Sequence, residues 1–270
     1  MSATAASPFA WEPLTPQGVA AFARAGFNRL LLVQLIIALL AASSVAWFLY
    51  ENCFRVISSA IQKLPDTGEI RSGRLDWHGK SPDLLADGRI LAFDVDLNHS
   101  GQINSTADVQ IEFGAESVRV FSLLGYVDFS YVPDRVGPFN RPKLEPLWGA
   151  WEKEILFIAF IATVPFLLFS WWALATLYFL PVWLLGFYTN RDLNFRACWK
   201  LSGAALMPGA LLMTTGIMLY GVGLMDLVAF GFIFLAHFVI GWIYLFLSLL
   251  FLPRVAGMPP KSNPFKPPKA

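Results

Sequence analysis

The chain has 270 residues, of which 56% are hydrophobic and 14% charged, against about a quarter charged in ordinary soluble domains. That composition argues against a soluble globular protein and predicts a membrane protein. A net charge of +1 leaves no overall footprint for nucleic acid, so the information lies in where the charges fall along the chain.

Residues 1–29 read as a cytoplasmic segment, rich in Ala, Ser and Pro and without order over its first fourteen residues. Thr15-Pro16 then has the form of a helix N-cap followed by Pro at the first helical position. Val19, Phe22, Ala23, Phe27 and Leu30 recur at helical spacing, which predicts an interfacial helix on the cytoplasmic leaflet or an N-terminal extension of the first span. Residues 30–50 form the first apolar run, long enough to cross a hydrocarbon core of about 30 Å. The run is too long, and its flank too weakly basic, for a cleaved signal peptide, so it reads as an anchor. Residues 51–65 continue as a helix with Phe54, Ile57, Ile61 and Leu64 on one face.

From Gly68 onward the period changes to two, and candidate strands cover residues 69–71, 74–77, 89–97, 108–113, 117–121 and 127–132. Gly114-Ala115-Glu116 reads as a hairpin turn. Val109, Ile111 and Phe113 face one way and Gln110 and Glu112 the other, as in a half-buried sheet of about five strands. Pro138, Pro142 and Pro146 make residues 136–146 an extended linker, returning to the membrane at an aromatic belt of Trp148 and Trp151. Residues 51–153 therefore form one inserted domain with its linker.

The run over 155–187 exceeds one crossing yet holds no turn for two. It predicts a long tilted or kinked helix to about Leu180, with Pro181 starting an interfacial segment that reaches Tyr188. A basic loop, residues 188–200, follows. Gly221-Val-Gly-Leu-Met-Asp226 divides the last run into spans over 201–220 and 227–252, so residues 154–252 form a helical membrane domain. In the third span Ala205 and Gly209 permit close helix contact. Residues 253–270 are a basic, Pro-rich cytoplasmic tail with no route to a packed structure.

Charge orients these spans. Arg24 and Arg29, then Arg191, Arg196 and Lys200, then Arg254, Lys261, Lys266 and Lys269 all fall on one side of four crossings, and the positive-inside rule makes that side the cytoplasm. Residues 51–153 carry eleven Lys and Arg against fifteen Asp and Glu, a net of −4, as expected of an exported segment. The predicted fold class is a polytopic α-helical membrane protein of about four transmembrane helices with an inserted extracytoplasmic β-rich (α+β) domain, N-in and C-in. Cys53 at the outer end of the first helix and Cys198 in the cytoplasmic loop are then separated by the membrane and stay unpaired.

The sequence singles out no catalytic, cofactor-binding or metal-binding residue. Asp94-Val-Asp-Leu-Asn-His-Ser-Gly101 briefly matches a calcium loop, but its sixth position is His99 and its twelfth Ser105, where that loop requires Gly and Glu. Asn98-His-Ser and Asn104-Ser-Thr match glycosylation sequons on the exported side. Asp76-Trp77-His78 reads as a surface turn and His237 as a neutral histidine bonded to a neighbouring helix, with Gln34 and Asp226 near the membrane margins. The candidate contact set for a lipid or a partner is Arg191, Phe195, Arg196, Trp199 and Lys200, because the two aromatic residues share a helix face and the basic ones can reach phosphates.

Residues 188–208, YTNRDLNFRACWKLSGAALMP, give a basic loop, an aromatic and basic step into a helix, and Pro208 about eight residues after Lys200. With LPDTGEIRSGRL over 64–75, ILAFD over 90–94 and VQIEF over 109–113, this resembles the bacterial membrane-protein family catalogued as domain of unknown function 1189. The loop and Pro208 are also similar to the broader Yip1-like helical bundles. The first resemblance covers most of residues 30–252 and implies a helix, an exported β domain and three helices in the bacterial inner membrane, without an activity. The expected function is that of a non-enzymatic membrane protein whose exported domain binds a membrane-protein or envelope partner. An accessory or permease-like subunit of a transport complex is the alternative.

Overall fold

The computed structural model describes residues 8–255; the expectations for residues 1–7 and for the tail from residue 256 lie outside them. The chain divides into two compact units, one of Met1–Ala41, Thr163–Gly216 and Gly231–Ala270, the other of Ala42–Ala162 and Ile217–Phe230. Among the described residues, four helical segments are long and apolar enough to cross a membrane: Phe27–Lys63, Arg141–Tyr188, Phe195–Gly221 and Leu227–Leu250.

In the first unit, order begins earlier than expected, with a 3-10 turn at Pro8–Trp11, and the guanidinium of Arg29 lies 5.0 Å from the Trp11 ring. α1, Pro16–Phe22, starts as its sequence predicts, with Thr15 Oγ1 accepting from Gly18 N and Pro16 at a position that needs no N–H. Its stripe is covered by protein: Val19 and Phe22 are fully buried with Leu30 of α2, Phe27–Leu49, and with Leu201 and Ala204. Gln34, expected near a margin, is also fully buried, accepting from Trp172 Nε1 at 3.2 Å. The expected loop over 188–200 is shorter than predicted, because Asn194 Oδ1 accepts from Ala197 N at 2.9 Å and starts α5, Phe195–Ala205. That places Cys198 in a buried helix; Cys53 is free as well. The third span breaks at Leu206, where Pro208 cannot continue the ladder, and resumes as α6, Met207–Gly221. A Cβ on Gly209 would collide with the carbonyl of His237 in α7, Leu227–Leu250, so the close contact anticipated at Gly209 is made.

In the second unit, α2 passes through a π-helical turn at Tyr50–Phe54 into α3, Arg55–Lys63. Ala60 and Leu64 pack on Leu85, Val95 and Phe139, with Phe93 and Phe113 around them. The strands form two sheets. β1 (Gly68–Arg71), β2 (Arg74–Trp77) and β8 (Gly137–Pro138) pair in the order β2-β1-β8. The larger sheet runs β3 (Asp83–Asp87), β4 (Leu91–Val95), β5 (Val109–Phe113), β6 (Ser117–Ser122) and β7 (Gly125–Ser130) in sequence order. β4 and β5 are parallel and the other neighbours antiparallel. Gly114 N bonds Ser117 O at 2.8 Å, closing the expected hairpin. β3 and β8 carry no apolar alternation long enough to announce a strand; sheet neighbours recruit them.

The largest departure is α4, one helix from Arg141 to Tyr188. The proline-rich linker is instead partly its first turns. Asn140 supplies the cap, its Oδ1 accepting from Lys143 N at 3.2 Å and its Nδ2 donating to Gly68 O at 2.7 Å. Pro142 then falls where an N–H would have no intrahelical partner anyway, and of the linker's prolines Pro146 alone removes a bond from the ladder, as Pro165 and Pro181 do further along α4. Trp148, expected in an aromatic belt, donates to Ser58 Oγ at 2.8 Å and meets Phe54 edge-on. Pro181 does not end the helix either, because Val182 and Gly186 beyond it are buried in packing.

Candidate functional site

Four of the five predicted contact residues meet in one place. Phe195, Arg196, Trp199 and Lys200 line a cavity of about 510 Å³ together with Ala25, Gly26 and Phe27 from the α1–α2 turn and Thr176 of α4. The positions i, i+1, i+4 and i+5 of α5 fall on adjoining stripes of one helix, which is why a single turn and a half can furnish a wall. The aromatic side chains are braced: Phe195 packs on Phe179 at 4.4 Å and Trp199 on Phe27 at 5.9 Å between ring centroids. Trp199 Nε1 also donates to Thr176 Oγ1 at 3.1 Å. Lys200 Nζ donates to Ala25 O at 2.5 Å, tying α5 to the turn, while Arg196 and Phe195 stand exposed at the mouth. Among the described residues no carboxylate pairs with Arg196 or Lys200. An apolar wall with two uncompensated cations at its rim suits an amphiphile with an anionic head.

Arg191 is not part of that wall. Its Nη1 bonds Leu252 O, and its backbone forms an antiparallel bridge with Arg254, reinforced by Asp192 N to Pro253 O at 3.1 Å and Val255 N to Asn190 O at 3.0 Å. It clamps the end of α7 to the α4–α5 connection. Phe27 and Thr176 are the members that sequence reading missed; they come from other elements, and no local pattern joins them to α5.

The second unit holds a polar cluster where the alternation of β5 predicts solvent. Asp94 on β4, Glu112 on β5, Arg119 on β6 and Asp128 on β7 are successive cross-strand partners. The connection from β4 to β5 folds over one end of this row and leaves Asp94 and Glu112 buried. Within it, His99 takes a left-handed φ of 51° and its Nδ1 bonds Glu112 Oε1. Asp96 accepts from Ser100 Oγ at 2.7 Å and Gly101 N at 3.1 Å. Those hydrogen bonds, with one from Asn98, hold Asp96 below the usual carboxylate range although its burial works the other way. Asp94 receives one bond, from Gln110 Nε2 at 2.9 Å, and its Oδ2 has no partner among the described residues. Burial, with Glu112 and Asp96 close by, pushes Asp94 up to about 6. Elsewhere His78 and Asp76 form an exposed pair at 3.6 Å. His237 bonds the carbonyl of Phe234 on its own helix, not a neighbouring one as expected.

The described residues make four long apolar helices with a two-sheet α+β unit inserted after the first. Comparison with family models, with curated proteins and with solved structures finds no match to it.

Proposed function

We propose that the chain is a non-enzymatic, multi-pass protein of the bacterial inner membrane, with both ends in the cytoplasm, that binds anionic phospholipid in the α5 groove. Its β unit faces the other side and docks a membrane-protein or envelope partner. The observation that carries the lipid reading is the groove itself: Arg196 and Lys200 at the rim of an apolar wall of Phe27, Phe195 and Trp199. The orientation is supported by Lys200 reaching Ala25 beside Arg24, and by Arg191 reaching Leu252 beside Arg254, since three basic segments so joined share one end of the helices. The resemblance to the family of unknown function 1189 belongs to the same proposal and supplies architecture only.

The test replaces Arg196 and Lys200 by Gln, leaving Arg24, Arg29, Arg191 and Arg254 to preserve orientation. The parent protein in mild detergent should gain melting temperature on addition of phosphatidylglycerol but not of phosphatidylcholine, and the double variant should lose most of that gain. Each cation near an anionic headgroup is worth about 1 kcal/mol, so the pair accounts for roughly a tenfold or greater change in lipid affinity. An equal response in parent and variant would remove the lipid site.

A further inference from the structure

The β6–β7 hairpin turns through Leu123 and Leu124 alone, with Ser122 paired to Gly125 across its base. Two-residue hairpin turns favour Asn-Gly, Asp-Gly or a Gly at the first position, because their backbone needs positive φ and their side chains meet water. Here the sole positive φ of the turn region is that of Gly125, at 111°, and the apex carries two leucines. Leu124 is 97% exposed and Leu123 66%. Ser122 Oγ accepts from Leu124 N and donates to Gly125 O, each at 3.4 Å, so the side chain secures the apex. Gly125 meets the backbone's need for positive φ, so what departs from turn chemistry is the pair of exposed leucines at the apex, and aliphatic side chains bared there mark a site that answers to something outside the unit.

Where the apex lies points to what that is. Phe121, Ser122 and Leu123 line one cavity together with Asp226, Leu227 and Val228, the residues on which the fourth apolar helix begins. The same end of the unit is locked by polar bonds: the Arg89 guanidinium donates to Tyr220 O and Met225 O, and Tyr220 Oη donates to Asp108 at 2.6 Å. The α6–α7 turn is also tipped with aliphatic side chains, Val222 and the 79%-exposed Leu224. Two turns from distant parts of the chain thus bare aliphatic residues beside the start of α7. The first turn of α7 continues that surface through the exposed Val228.

We infer that the Leu123-Leu124 apex enters the outer leaflet of the bilayer beside the first turn of α7 and pins the β unit to the membrane surface. Continuity with the lipid-facing side of α7 selects acyl chains as its occupant, since burying two leucines there recovers the transfer free energy that exposure to water forfeits. Tyr126, packed at a tilt on Phe121 with ring centroids 5.6 Å apart and lying under the Arg119 guanidinium at 5.3 Å, sits where an aromatic and a cation meet the headgroups.

The inference rests on the helices crossing the membrane, and the experiment separates the two. Leu124→Cys and Phe232→Cys are made singly in a chain carrying Cys53→Ser and Cys198→Ala, labelled with an environment-sensitive fluorophore, and reconstituted as full chains into phosphatidylcholine–phosphatidylglycerol vesicles. The label at 124 should emit to the blue and be quenched by lipids spin-labelled near the top of the acyl chain, while aqueous iodide quenches it weakly. If 232 is quenched by the lipid label and 124 only by iodide, or by neither, the apex meets water or protein and the inference fails. If 232 is not quenched by lipid, the spanning reading falls first and the inference with it.

Discussion

Asp94 shows how one buried carboxyl makes the β unit responsive to pH. Its group titrates near 6 in the folded chain and near 3.9 in an unfolded one, so the folded state binds the proton more tightly. Below the lower value both states are protonated and Asp94 has no effect; as pH rises from about 4 through about 6 stability is lost, and above that both states are ionised and the loss is complete. Asp96 has the opposite sign, since its lowered value adds stability that disappears only as the pH falls below the ordinary carboxylate range. The full chain in detergent should therefore melt at a lower temperature at pH 7.5 than at pH 5. Asp94→Asn, which keeps the shape and removes the charge, should raise the melting temperature at pH 7.5 by a few degrees and flatten the slope. An unchanged slope would mean that the carboxylate is hydrated. Nothing in the β5 pattern announces this: Glu112 and Gln110 alternate with apolar residues as solvent-facing groups do, and only the overlying connection with His99 makes that face an interior.

At the scale of elements, two glycines in adjacent helices have opposite roles. Gly209 of α6 faces the His237 carbonyl so closely that a Cβ cannot fit, whereas around Gly231 of α7 there is nothing within 4 Å. Gly209→Ala should lower the melting temperature, because backbone on both sides must part. Gly231→Ala should leave it unchanged or raise it slightly, as Ala is the better helix former by about 1 kcal/mol; equal losses would contradict the packing. The N-terminus of α4 depends in the same way on one side chain. Asn140 both caps the helix and bonds Gly68 O in the smaller sheet. Asn140→Ala removes a cap worth about 1 kcal/mol, and faster amide exchange should spread through the first turn of α4 and into β1. Exchange confined to the helix would mean that the Gly68 bond contributes nothing.

For the whole molecule the decisive measurement is sidedness. With Cys53→Ser and Cys198→Ala in place, Lys80→Cys in the β unit and Asp192→Cys in the α4–α5 connection are both exposed positions. A membrane-impermeant maleimide applied to intact spheroplasts should modify position 80 and reach 192 only after lysis. Labelling of 192 without lysis would invert the proposed orientation, and with it the assignment of the α5 groove to the inner leaflet.

The sequence by itself determined what depends on near neighbours and on bulk solvation. It located the four apolar segments, because their lengths are set by composition. Short-range periodicity placed the Thr15-Pro16 cap, most strands of the larger sheet and the helix face of Phe195 and Trp199. Tertiary structure decided whatever depends on residues far apart in the chain. Asn140, by bonding Gly68, turned a proline-rich stretch into a helix start. Packing of Val182 and Gly186 carried α4 past Pro181. Phe27 and Thr176 completed the groove, while Arg191 was drawn away to the end of α7. Prolines and polar residues state only what the backbone prefers and what water would reward, and a partner contributed from elsewhere in the fold outweighs both when it supplies the missing hydrogen bond or the buried surface.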